Sequence, residues 1–221
     1  MKKALENKNL TIALLLAMTI WGISWPNAKI IGKYASYEVL IFWRFLFSAV
    51  TIFMFVFFLK IQLKPSKKTF FYALFSSMFV ILYNINYFKG TQIGLAGLGG
   101  VIVPTLSPII TYLLTILLKV EKFKKTDFFS FFIAILGAVI LIRIWEISWQ
   151  DLIYSGNIYY ILAAATWSMV SIASEKAKKS INPIAFSFWI YFLSIIFSTI
   201  ITDFQNISTV FTFDWIFWLN F

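Results

Sequence analysis

Seven long apolar runs, parted by short lysine-bearing segments, make up most of the sequence. A helix that crosses the hydrocarbon core of a bilayer needs about 20 mostly apolar residues. That length predicts spans over Leu10–Ile31, Val39–Leu59, Phe70–Phe88, Leu95–Leu118, Phe128–Trp145, Gly156–Ser174 and Ile184–Thr202. An eighth apolar run opens near Phe213 and reaches Phe221, the last residue. Nine residues at about 1.5 Å each cover less than half of a core about 30 Å thick. The first run is too long for a cleavable signal peptide and further spans follow it, so it reads as an uncleaved signal anchor. The expected fold class is an all-α polytopic membrane protein, with about seven spans, a partial eighth and no soluble domain.

Composition agrees with this pattern. Of 221 residues, 61% are hydrophobic and 13% charged, against about 25% charged in soluble domains. Cys and His are absent, which excludes disulfides, thiolate or imidazole metal sites and His-dependent catalysis. The acidic residues Asp127, Glu146, Asp151, Asp203 and Asp214 fall at span ends and form no catalytic constellation. The chain is therefore expected to be no enzyme and to carry no cofactor or metal.

The net charge of +10 would suit nucleic acid, but its placement does not. Lys2, Lys3, Lys8, Lys60, Lys64, Lys67, Lys68, Lys119, Lys122, Lys124, Lys125, Lys176, Lys178 and Lys179 all fall on one side if every span crosses. Lys29, Lys33, Lys89 and Arg143 fall on the other, with Gly94 and Asp151. Basic loops stay in the cytoplasm, so the amino terminus is expected there. Expected partners are membrane lipid and a small-molecule substrate, and no nucleic acid.

A shift of 146 residues aligns Trp21 with Trp167, Phe42-Trp43 with Phe188-Trp189, and Ser48 with Ser194. One reading is chance matching among abundant aromatics. The other is a repeat of five-span units, and an odd number of spans inverts the second unit in the membrane.

Helix 1 carries MTIWGISWPNAKI and helix 2 carries LIFWRFLFS. Trp21-Gly22, Arg44-Phe45, Ser107-Pro108, Glu121 and Gly137 follow in an order and spacing that resembles the EamA domain of the drug/metabolite transporter superfamily. The resemblance covers residues 1–146 as a first repeat and residues 153–221 as the start of a second. It implies a transporter or permease of the inner membrane that moves small organic metabolites or drugs by alternating access. It also implies three further helices, so the chain is expected to be carboxy-terminally truncated. The alternative is a non-transporting fragment or scaffold. Homodimerisation would be one way to cover the incomplete second unit.

The polar groups within the spans supply the candidate site. Arg44 lies about six residues into helix 2, where an arginine is costly unless paired, wet or snorkelling. It reads either as a fixed cation for a carboxylate or phosphate group, or as a snorkelling or Glu38-paired structural residue. Trp21 sits mid-span, where a belt role is less natural. Tyr83, Asn84, Asn86 and Tyr87 read as a substrate wall or as an interfacial aromatic belt, with Tyr83 and Tyr87 on one face. In helix 4, Pro104 frees the carbonyl of Gly100 and Pro108 frees that of Pro104. Gly97, Gly100, Pro104 and Pro108 are the candidate hinge and packing positions, with Thr105 and Ser107 beside them as polar contacts. Glu121 reads as interfacial. No Asp or Glu lies deep in the seven spans, so they offer no carboxylate proton relay.

Overall fold

The computed structural model describes residues 2–119, 125–146, 148, 150 and 156–221. Each predicted span is a helix. They are α1 (Lys2–Ile31), α2 (Tyr37–Phe58), α3 (Lys67–Ile93), α4 (Ala96–Leu117), α5 (Lys125–Ile142), α6 (Asn157–Ala177) and α7 (Pro183–Ser198), followed by a short α8 (Trp215–Asn220). Short 3-10 turns cover Ile144–Glu146 and Ile207–Thr212. No β-strand occurs among the described residues.

Four segments are long and apolar enough to cross a membrane: Leu10–Ile31, Tyr37–Phe58, Lys67–Ile93 and Ala96–Leu117. The apolar parts of α5 and α7, Thr126–Leu141 and Pro183–Ser198, are shorter. The chain is thus a multi-pass, all-helical membrane protein. Glu121, Lys122, Lys124 and Asp151 lie outside the described residues.

Local chemistry sets the helix ends. Ser66 caps α3 by accepting from the Thr69 amide at 3.1 Å, so α3 begins three residues before its apolar run. Asn182 accepts from the Ile184 amide at 2.9 Å, with Pro183 as the first helical residue, an arrangement suited to a helix start. At the end of α2 the Ile61 amide donates to the Val56 carbonyl and the Lys60 amide to that of Phe57, at 3.0 and 3.2 Å. This is a Schellman ending, and Lys60 takes the left-handed conformation it requires, with φ 51°.

α3 occupies the centre, packing against α6 and α7, while α4 packs on α6 and α2 on α7. The seams are rich in small residues: Ser76, Ser77, Ala163, Ala164, Ser168, Ala173, Ser194 and Ser198 are all buried. Small side chains let helices approach where lipid offers no hydrophobic drive to association. The outward faces of α1, α2 and α5 expose Leu15, Ile20, Phe57, Phe132 and Ile133. Lipid is the natural solvent for them.

Three of the basic residues expected on the sparse side have structural partners, and Arg143 pairs with Glu146 at 2.5 Å. Lys29 donates to the Gly94 carbonyl at 2.5 Å, neutralising the end of α3. Lys89 lies over the Tyr37 ring, 4.6 Å from its centroid. Gly94 itself is buried, so it cannot serve as an exposed marker of that side.

α2 and α7 exchange matching contacts. The Trp43 indole N–H donates to the Ile207 carbonyl at 2.7 Å, in the segment after α7. The Trp189 indole N–H donates to the Leu63 carbonyl, also at 2.7 Å, in the segment after α2.

A candidate site of two cavities flanking an aromatic layer

The layer is built from α1, α3, α4 and α6. Trp25 is buried and meets Tyr87 and Tyr160 edge-on, with centroids 4.6 and 5.7 Å apart. The Tyr160 hydroxyl reaches both ends of the α3–α4 connection, 2.9 Å from the Gly90 carbonyl oxygen and 3.0 Å from that of Leu95. Tyr87 donates to the Ser24 carbonyl at 2.6 Å. Tyr83 stacks on Tyr87 at 5.8 Å and meets Trp167 at 4.9 Å. Tyr83 and Tyr87 are 5% and 1% exposed, so they are interior residues and do not form an interfacial belt.

Glycines make this layer possible. A Cβ at Gly99 would stand 2.4 Å from Trp25 and 2.5 Å from Tyr160, and one at Gly90 would stand 2.6 Å from Tyr160. Gly97 faces open space, and Gly100 makes only ordinary contact with Trp25 at 3.4 Å. The close approach expected at Gly97 and Gly100 therefore falls on Gly99. Helix phase explains the difference, since neighbours on a helix point about 100° apart.

On one flank lies a cavity of about 270 Å³, lined by Ser24, Asn27, Arg44, Tyr87 and Phe88 among others. The Arg44 guanidinium carbon stands 5.1 Å from the centre of the Tyr87 ring and 5.7 Å from that of Phe88. Both distances suit cation–π attraction, which strengthens away from water. Among the described residues no carboxylate pairs with Arg44.

On the other flank lies a larger cavity of about 730 Å³. Trp21, Pro104, Ser107, Pro108, Thr111, Trp167 and Ser171 line it. The Ser168 hydroxyl donates to the Ser107 carbonyl at 2.9 Å, tying α6 to α4 where the two prolines break the helix pattern. Thr111 donates to the same carbonyl at 2.7 Å. Tyr112, also lining the cavity, donates to the Asp127 carboxylate of α5.

The structure thus brings Arg44 and Tyr87 together in one cavity, and Trp21, Ser107, Pro104 and Pro108 in the other, with Tyr83 between. Asn84 lines neither; it is buried, donates to the Val80 carbonyl at 2.8 Å, and its side-chain oxygen has no partner. Thr105 is half-buried and lines neither cavity.

The model of the EamA-like transporter family matches residues 10–143, more than half of the chain. The chain belongs to the EamA-like transporter family. No curated protein and no solved structure matches it. The matched residues of this EamA-like protein hold Arg44, the α4 prolines and most of the aromatic layer. Trp167, Ser168 and Tyr160 of α6 lie beyond them, yet they complete both the layer and the larger cavity. Of these three, sequence comparison within the chain singled out Trp167, through its match to Trp21. Tyr160 carried no signal, because its role depends on which glycine it meets.

Proposed function

We propose that this chain is a carrier that moves small organic solutes across the inner membrane by alternating access. The observation that supports the reading is the pair of cavities on opposite flanks of the Tyr83–Tyr87–Trp167 layer. The Arg44 cavity draws on the carboxy-terminal half of α1 and of α3. The larger cavity draws on the carboxy-terminal halves of α4 and α6, nearer the lysine-rich segments. A solute bound at the layer would face one cavity or the other as the helices rock. Transporter sites commonly lie near the midplane, between repeats. The Arg44 charge would draw a carboxylate or phosphate group of the solute toward the layer.

The exchanged Trp43 and Trp189 contacts are what an inverted repeat with a 146-residue shift would produce. Each ties one of the two helices to the segment that follows the other, at opposite ends of the pair. In this reading they act as two end latches. Trp43→Phe is expected to raise the rate of thiol labelling at Asn27→Cys by about three- to tenfold, the worth of one neutral hydrogen bond. Labelling at Ser171→Cys should not change. Trp189→Phe should do the reverse. The native chain contains no Cys, so the background is clean. Equal changes at both cysteines would leave only a general loosening.

The transport reading is tested with purified protein in liposomes, by uptake and counterflow of a panel of labelled amino acids, organic acids, sugars and nucleosides. Saturable flux of at least one solute is expected, and failure across the panel would remove the reading. Orientation is tested in cells with an impermeant thiol reagent. Lys67→Cys is expected to stay unlabelled in intact cells. Leu95→Cys, exposed beside the buried Gly94, is expected to react. Labelling at position 67 would reverse the proposed cytoplasmic amino terminus.

A further inference from the structure

A third concavity lies outside the aromatic layer, between α2 and α7. It measures about 550 Å³ and is lined by carbon side chains, among them Leu46, Val50, Phe53 and Phe57 of α2 and Phe188 and Phe192 of α7. The small Ala49 forms part of its lining. Phe53 and Phe188 approach to 5.8 Å, and Phe188 stacks on Phe192 at 5.8 Å. From Leu46 to Phe57 the groove runs roughly 16 Å along α2, about half of the ~30 Å hydrocarbon core. It therefore occupies one leaflet, at the end where α2 gives way to the lysine-rich segment.

Two lysines follow α2 just beyond Phe57 and Phe58 of the groove, each next to a fixed backbone group. The Schellman ending holds Lys60 at the tip of α2. The Trp189 hydrogen bond to the Leu63 carbonyl holds the next residue, Lys64, against α7. Both lysines are exposed, and no Asp or Glu occurs between Leu59 and Thr69. Neither takes part in an ion pair among the described residues.

We propose that this groove binds an anionic phospholipid, with one acyl chain along α2 and α7 and its phosphate between Lys60 and Lys64. The groove's length matches a leaflet, its lining matches an acyl chain, and the lysines just beyond it carry charge opposite to the headgroup. The proposal rests on the chain being a multi-pass membrane protein and not on what it transports. Each lysine near an anionic headgroup is worth about a fivefold gain in affinity.

The test titrates the purified full chain in mild detergent with dioleoylphosphatidylglycerol or dioleoylphosphatidylcholine, reading bound lipid by native mass spectrometry. The anionic lipid is expected to bind at least about tenfold more tightly. Lys60→Gly combined with Lys64→Gln should bring the two lipids level without weakening the zwitterionic one. Glycine suits the left-handed position at residue 60, so lost binding would not reflect a damaged helix end. Val50→Trp, which fills the groove, should weaken both lipids. Lys178→Gln with Lys179→Gln, neither of which lines the groove, should change neither. Equal binding of the two lipids, or a preference that survives loss of Lys60 and Lys64, would overturn the proposal. So would competition by glycerol 1-phosphate, since the headgroup alone would then suffice. A lipid-free dimer that Val50→Trp dissociates would assign the groove to a second copy instead.

Discussion

Gly99→Ala is expected to destabilise the purified protein in detergent, by about 1–3 kcal/mol, while Gly97→Ala causes no loss. The two positions lie two residues apart in the same helix. At Gly99 the added methyl would stand 2.4 Å from Trp25 and 2.5 Å from Tyr160, and neither ring can retreat. Trp25 is wedged between Tyr87 and Tyr160, and Tyr160 is tied to the Gly90 and Leu95 carbonyls. At Gly97 the methyl meets nothing within 4 Å, and alanine is the better helix former. Thermal unfolding of both variants in one detergent decides the matter. Trp25→Phe in the Gly99→Ala background should recover part of the loss, because a smaller ring relieves the overlap. Equal melting temperatures for the two single variants would mean that the aromatic layer does not pack as described.

The second large effect is expected at Arg44. In the transport reading, Arg44→Ala should cut flux by at least about tenfold at normal expression, the worth of one charge-assisted hydrogen bond. Tyr83→Phe should cost less. It removes one hydroxyl and keeps the ring contacts with Tyr87 and Trp167. Arg44→Lys separates two modes of recognition. Partial rescue would mean that charge alone suffices. Failure would mean that the solute's carboxylate needs the paired N–H groups of a guanidinium. Normal flux by Arg44→Ala would leave only a structural or snorkelling arginine.

Much of this was open to reading from the chain alone, and the reason is that it was local. Helix formation in an apolar run depends on that segment's own sequence, so all seven helices appear where apolar runs predicted them, and four of them are long and apolar enough to cross a membrane. The differences at their ends came from single caps. Ser66 starts α3 at Lys67, and the αL residue Lys60 closes α2. The lack of Cys and His likewise ruled out thiolate or imidazole metal sites and histidine chemistry without any fold. The family was carried by motifs within the first 146 residues, and the matched stretch of residues 10–143 follows them closely.

Whatever depends on which faces meet was settled by tertiary packing. Four-residue spacing puts Tyr83 and Tyr87 on one face, but the arrival of α1 and α6 on that face turned a plausible interfacial belt into an interior layer. Three glycines, at positions 97, 99 and 100, look alike in sequence. Only the seating of Trp25 and Tyr160 selects Gly99. In sequence Arg44 was also open to pairing with Glu38, six residues or about 1.7 turns away. The structure aims it at two rings and a cavity, because α3 presents Tyr87 and Phe88 at that level. Lys29 and Lys89 looked like exceptions to the charge bias, and long-range contacts with Gly94 and Tyr37 account for them. Hydropathy acts along the chain and is written in it. Helix phase against a distant neighbour is a relation between segments, and it exists only once they pack.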